Sequence, residues 1–281
     1  MSAAVAPQDD VLTSVSGAVA TITLNRVAHR NSLTPAMVNQ MMEALDRFSR
    51  DPEVRIIVLT HTGPVFCSGM DLKAGGGAAA LGAKPYAPFD KLFLSPKPVV
   101  ALVHGTCHGG GVGLFFACDI RLISSKVSIS FPEASIGIYP ALISGYITPQ
   151  LGPYLTRSLM LSGLPLRAEQ MLSAGVTSHA VFSGVDDMRA FATATLFPAL
   201  LRSPTVAHQG VKRITLLMAY GGAQGHSETM TELMGEFQGM MATKEAAYAR
   251  KQLGLKKSPD WVEFYAAAGK QEVPSNVRSK L

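Results

Sequence analysis

The sequence predicts an α/β fold, and three observations predict it. Residues 54–60, VRIIVLT, form a nearly continuous apolar run, as in a strand whose sheet is covered on both faces. Strand-like runs of this sort alternate with stretches of helical period through the first two hundred residues. From Thr205 onward the strand signals stop and helical patterning continues alone. The chain is therefore expected to divide into a mixed core, residues 1–203, and a helical segment with a flexible tail, residues 204–281.

The opening residues, MSAAVAPQDD, lack the basic-then-apolar order of a secretory signal and read as a flexible arm. AVATITLN, 18–25, alternates with period two and predicts a strand. Thr34-Pro35 offers an N-cap followed by proline at the first helical position, and Val38, Met41, Leu45 and Phe48 mark one face of a helix to about Arg50. The apolar strand 54–60 follows, then LKAGGGAAALGAKPYAP, 72–88, whose composition predicts a mobile loop. PVVALV, 98–103, is the next strand and leads into three glycines and a nearly uncharged helix, about 111–118. Two short strands are expected over 120–124 and 127–131, and helices over 154–161, 168–174, 187–201, 206–220 and 227–253.

With 281 residues, 47% of them hydrophobic and 16% charged, the chain can bury one sizeable core. No apolar run reaches the roughly 18 residues of a membrane span. The net charge of +5 is spread along the chain with no aromatic–basic interleaving, so no nucleic-acid surface is expected. A mild positive balance suits a small anionic ligand. Cys67, Cys107 and Cys118 are odd in number and lack metal-ligand spacing, which predicts reduced, buried thiols and no metal site.

The chemistry-bearing stretch is HGTCHGGGVGLFFACD, 104–119. Glycine at 110 lets a ligand atom approach the backbone, and the helix that follows turns its unpaired N–H groups and positive end toward that place. A dinucleotide fingerprint fails, because Gly109 and Gly111 are followed by Leu114 where the last glycine belongs, and no phosphate-binding Gly-Lys-Ser/Thr occurs. VFCSGMDL, 65–72, is a second small-residue turn at the end of an apolar strand. Two such turns can aim two backbone N–H groups at one oxygen, the requirement of an oxyanion hole.

Four stretches, LNRVAHRNSL (24–33), VFCSGMDL (65–72), KPVVALVHGTCHGGGVGLFFACDIRLIS (97–124) and FPEASIGIYPALIS (131–144), together resemble the crotonase superfamily of enoyl-CoA hydratases and isomerases, over roughly residues 12–255. The resemblance implies a crotonase-like spiral of ββα units, followed by a helical trimerisation segment and assembly as a homotrimer or dimer of trimers. It implies that the Met70 and Gly110 amides hold the thioester oxygen of an unsaturated acyl-CoA, with coenzyme A arriving as part of the substrate and no separate cofactor. Of the family's two catalytic glutamates, one position falls on Gly113 and the other on Glu133, the general acid/base. Ser68, Gly69, Asp71, Leu72, His108 and Gly109 are implied to line the site, Tyr139 and Pro140 its acyl end, and Arg26 and Arg30 the coenzyme A nucleotide. For His104 and His108 a plain local hydrogen bond competes with any functional role, as does backbone bonding for Asp71 and Asp119.

GGGVGL and GIYPALIS look like a subgroup that includes hydratases of branched or glutaconyl-type esters, so hydration is expected ahead of 3-enoyl to 2-enoyl isomerisation. A non-catalytic acyl-CoA-binding scaffold is the third reading. Met230, Met234, Met240 and Met241 are expected to pack a subunit interface. The terminal Ser279-Lys280-Leu281, tethered through Pro274-Ser275-Asn276, matches a peroxisomal address read by an import receptor, which suits fatty-acid or branched acyl-CoA oxidation.

Overall fold

The computed structural model describes residues 9–71, 86–220, 239, 243–255, 257 and 259–267. Two sheets organise the chain. The larger runs β1 (Val11–Ser16), β2 (Val19–Leu24), β3 (Ile56–His61), β5 (Val99–Val103), β7 (Ile120–Ser124) and β10 (Val181–Phe182) in that spatial order, parallel except for the β1–β2 hairpin. The smaller contains β4 (Val65–Cys67), β6 (Thr106–His108), β8 (Ser128–Ser130) and β9 (Leu166–Arg167).

Every residue of β3 is buried, and alternate side chains explain why its sequence shows no polar face. Ile57 and Leu59 enter the main core with Met37, Met41 and Leu45 of α1 (Pro35–Arg50), whereas Ile56 and Val58 meet Met188, Ala192 and Leu196 on the other face. Those last residues belong to α7 (Val185–Phe191) and the π-helical turn Ala192–Leu196 that continues it. The α1 start is as expected: Thr34 Oγ1 accepts the Met37 N–H at 3.1 Å, with Pro35 first in the helix.

Several elements differ from expectation. β1 was not anticipated, because all of VLTSVS after Val11 is exposed on an edge strand and no apolar alternation marks it. The two small-residue turns are preceded by the three-residue strands β4 and β6, too short to register as pattern. A helix over Ala141–Leu151, α4, was also missed, since Gly145 and Pro149 interrupt its period. The expected loop 72–88 gives way at its end to α2 (Ala87–Phe93), and residues 72–85 lie outside the described residues. Of the helix expected over 227–253, Lys244–Gly254 is described. The arm 1–8, Leu72, the four C-terminal methionines and Ser279–Leu281 also lie outside the described residues.

α9 (Thr205–Tyr220) is held to the large sheet by Lys212, whose Nζ lies 2.7 Å from Asp119 Oδ2. Asp119 Oδ2 also accepts the Val99 N–H at 2.7 Å, so this carboxylate braces the fold by bonding the backbone. No described helix is long and apolar enough to cross a membrane.

Candidate active site

β3 and β5 both leave the large sheet at their C-terminal ends and continue into β4 and β6, which pair in parallel in the small sheet. Each strand then runs out into one glycine turn. At the first, Leu33 donates its N–H to Gly69 O at 2.8 Å and accepts the Asp71 N–H at 2.9 Å. This bridge turns the intervening Met70 N–H away from Leu33. At the second, Gly110 opens α3 (Gly110–Phe116), where the first N–H groups have no acceptor within the helix.

The turns abut. A Cβ on Gly110 would lie 3.7 Å from Met70 N, and one on Gly69 would lie 3.3 Å from Gly110 N and 3.1 Å from His108 O. Gly69, at φ 92°, and Gly109, at φ 49°, both occupy the left-handed region. Neither the Met70 nor the Gly110 N–H has a hydrogen-bond partner among the described residues.

Glu133 comes to the same place from β8, as the first residue of the 3₁₀ turn Glu133–Ile136. A Cβ on Gly109 would sit 2.8 Å from Glu133 Oε1, so the carboxylate rests against the bare glycine backbone. Its other oxygen, Oε2, is buried without a partner among the described residues. Burial pushes the Glu133 carboxyl above its ordinary value, opposed by a hydrogen bond from its own backbone.

The surrounding residues mostly hold one another. Arg26 Nη1 reaches Asp71 Oδ2 at 2.9 Å and Ser32 Oγ at 2.6 Å, which straps the loop 26–33 to the Met70 turn. Ser68 donates its N–H to Arg30 O at 3.1 Å. Arg30 itself is exposed and near enough to His108 to help lower the imidazole pKa, after burial, the larger cause. His108 shares its ring nitrogens with Ser130 Oγ at 2.8 Å and Thr106 Oγ1 at 3.2 Å. Pro140 precedes α4, and Tyr139 stands 82% exposed, so a single chain does not enclose it.

Gly113, where a second carboxylate would stand by resemblance, faces a filled volume. A Cβ there would meet Phe89 Cε1 at 2.9 Å, Ile143 Cβ at 3.1 Å and Ile143 Cγ2 closer still. Among the described residues no group of three or more His, Cys, Asp or Glu is arranged to hold a metal ion.

The family model for enoyl-CoA hydratase/isomerase matches residues 14–214 of this sequence, which takes in both glycine turns and Glu133. The chain belongs to that family. A Thermus thermophilus putative enoyl-CoA hydratase is 32% identical over 171 residues, covering 58% of this chain and 68% of its own. The mitochondrial 3-hydroxyisobutyryl-CoA hydrolase of Gallus gallus is 33% identical over 184 residues, covering 62% of this chain. That match takes in 48% of the hydrolase, so the chain spans about half the length of the hydrolases it resembles. Among solved structures, Pseudomonas aeruginosa AtuE superposes with a TM-score of 0.80 at 27% identity, covering 90% of this chain and 100% of that one. An enoyl-CoA hydratase from Shewanella pealeana gives 0.81 at 25% identity, covering 90% and 96%.

For a member of the enoyl-CoA hydratase/isomerase family, two residues of consequence escaped sequence reasoning. Asn31 is fully buried; its amide accepts the Arg26 N–H at 2.7 Å and donates to Thr62 O at 3.1 Å and Val65 O at 2.8 Å. It sits at φ 53° directly after Arg30, also at φ 53°, a left-handed pair that asparagine tolerates better than most residues. Ile143, the other, closes the space over Gly113 from a helix whose pattern was too broken to predict.

Proposed function

We propose that this family member hydrates unsaturated acyl-CoA thioesters, with Glu133 as its single acid/base. The observation that carries this reading is the placement of the Glu133 carboxylate against Gly109, beside two unpartnered amides, with Oε2 free to receive a proton. The Met70 and Gly110 N–H groups bind the thioester oxygen and hold the charge that gathers there as the enolate forms. One donor of this kind is worth about 3 kcal/mol of transition-state stabilisation. Glu133 takes a proton from water while the water oxygen bonds to the β-carbon, and the same carboxyl then delivers that proton to the α-carbon. Coenzyme A enters as part of the substrate, and the chain's own groups suffice for each step.

A second reading is 3-enoyl to 2-enoyl isomerisation, favoured by the apolar closure over Gly113. One carboxylate can lift a proton from the α-carbon and return it to the γ-carbon without any water. Purified protein assayed with crotonyl-CoA, a 3-enoyl-CoA and a 3-hydroxyacyl-CoA, beside Glu133→Gln, decides among the readings. Water addition to crotonyl-CoA that is lost in the variant supports hydration. Turnover of the 3-enoyl ester alone supports isomerisation. Release of free coenzyme A from the 3-hydroxy ester assigns a hydrolase, and binding without turnover assigns a scaffold.

The same reading places the enzyme in peroxisomal fatty-acid or branched acyl-CoA oxidation, through recognition of Ser279-Lys280-Leu281 by an import receptor. It also assembles the chain as a homotrimer or a dimer of trimers. Imaging a fluorescent fusion with and without the last three residues, and sedimentation of the purified chain, test these two points.

A further inference from the structure

Backbone pairing between β3 and β5 stops at Leu59 and Ala101. Two side chains of β3 carry the ladder further. The Thr60 hydroxyl donates to Leu102 O at 2.8 Å, and His61 Nε2 accepts the His104 N–H at 3.1 Å. Beyond these rungs the chains splay, cross to the small sheet and pair again at Val65 with Thr106 and Cys67 with Cys107. From each cysteine the chain runs three residues to an amide donor, Cys67 to Met70 and Cys107 to Gly110. The His61–His104 bond is thus the last hydrogen bond between the two arms, among the described residues, before they cross to the small sheet.

The His61 ring is locked in place. It is 1% exposed, stacks on the His104 ring at 3.7 Å and 15°, and takes the edge of Phe66 at 5.5 Å. A Cβ on Gly105 would lie nearest to the Pro64 carbonyl oxygen, 2.7 Å from the Pro64 carbonyl carbon and 3.0 Å from His61 Cε1, so the two arms pack directly at Gly105 and Pro64 as well as through this ring, with no room for a side chain between them. Burial first, and His104 second, push the His61 pKa down to about 3. Burial, then Arg189 and Lys126, likewise keep His104 low. Burial thus favours the neutral imidazole, in which Nε2 accepts the His104 N–H.

We propose that His61 is a positioning residue for the oxyanion hole: by accepting the His104 N–H it fixes the splay of β3 from β5, and with it the spacing of the Met70 and Gly110 amides. The proposal rests on the reading of those amides as the thioester-oxygen donors. The residue touches no substrate and acts through backbone geometry alone.

The test compares the full-length parent with His61→Gln, His61→Asn and His61→Leu. Glutamine sets an acceptor where Nε2 stands, asparagine sets one at the level of Nδ1, and leucine removes it. Each protein is assayed for kcat and KM with crotonyl-CoA, or with the 3-enoyl ester if that is the substrate turned over. Each is also titrated with a chromophoric arylacryloyl-CoA, whose absorption moves to the red when its thioester carbonyl is polarised. His61→Leu and His61→Asn are expected to lower kcat at least tenfold with KM within twofold, and to lose most of the red shift. His61→Gln is expected to keep kcat within threefold of the parent and to keep the shift. If His61→Leu does not fold, the Gln and Asn variants decide alone. Equal kcat and equal shift in those two overturn the proposal, as does a Leu variant with parental kcat. A parent that binds the chromophore with no red shift overturns the reading of the hole itself, and this inference with it, before any variant is made.

Discussion

Replacing Gly113 by alanine would set a methyl carbon 2.9 Å from Phe89 Cε1, 3.1 Å from Ile143 Cβ and nearer still to Ile143 Cγ2. Comfortable carbon–carbon separations are about 3.5–4.0 Å, so at least two contacts are short by half an ångström or more. Neither neighbour can give way cheaply, because Phe89 and Ile143 are both buried in the main core. Overpacking of this kind costs about 1–3 kcal/mol. Against it stands the helix preference for alanine over glycine, about 0.5–1 kcal/mol, because Gly113 lies inside α3. The expected net loss for Gly113→Ala is about 0–2.5 kcal/mol.

Ile143→Ala alone leaves a cavity and should cost about 2–5 kcal/mol. In the double variant the methyl at 113 enters that cavity, so the two losses should fall short of their sum by about 1 kcal/mol or more. Urea unfolding of the parent, both single variants and the double variant measures this coupling directly. Strict additivity would refute the claim that the space over Gly113 is closed. The same geometry predicts that Gly113→Glu restores no second acid unless Ile143 is also shortened.

Glu133→Gln should abolish turnover while leaving stability at pH 7 equal or higher. The carboxyl is raised in the folded state, so its ionisation opposes folding above that pKa and the neutral amide removes the penalty; thermal melts at pH 4 and 7 should show the variant gaining on the parent as pH rises. For the parent, kcat/KM should fall on the acid side as Glu133 takes up a proton, with a midpoint above the ordinary glutamate value. Gly110→Ala should fold normally, since its Cβ would make no contact shorter than 3.5 Å, yet the methyl would stand 3.7 Å from Met70 N at the hole and should depress kcat/KM at least tenfold. Asn31→Ala should cost about 2–4 kcal/mol by chemical denaturation, because it strands the Arg26 N–H and the Thr62 and Val65 carbonyls in a buried site.

How much of this was legible depends on where each signal lives. The α/β class could be read because β3 and β5 are buried on both faces, which makes β3 apolar through Leu59 and β5 apolar throughout. The glycines at 69, 109 and 110 were legible because backbone approach requires that residue type, whatever packs around it. The closing of Gly113 was not, since it depends on a helix brought in some thirty residues later and on one side chain of it. Asn31 and His61 were equally silent. Each works by bonding backbone groups far away in sequence, and neither a polar residue in a loop nor a histidine ending a strand announces such a partner. The exposed Tyr139 shows the opposite limit: its position in a motif suggests a pocket wall, but one chain leaves it facing outward.

The division of labour in the site follows from the same physics. On the proposed reading the thioester oxygen is held by backbone amides at the ends of parallel strands, a task that asks only that the two turns stay small. What distinguishes this chain is what surrounds the reacting carbons. With the space over Gly113 filled by Ile143 and Phe89, the proposed function leaves Glu133 alone to act as acid and base, so that any proton it removes it must also return. The outcome then turns on Oε2, buried and without a partner among the described residues. If a water sits against it in the complex, the β-carbon is hydrated; if the acyl chain fills that place, the proton travels along the chain instead. Enlarging the space through Ile143→Ala should therefore shift the ratio of hydration to isomerisation toward hydration, and an unchanged ratio would place the choice elsewhere in the pocket.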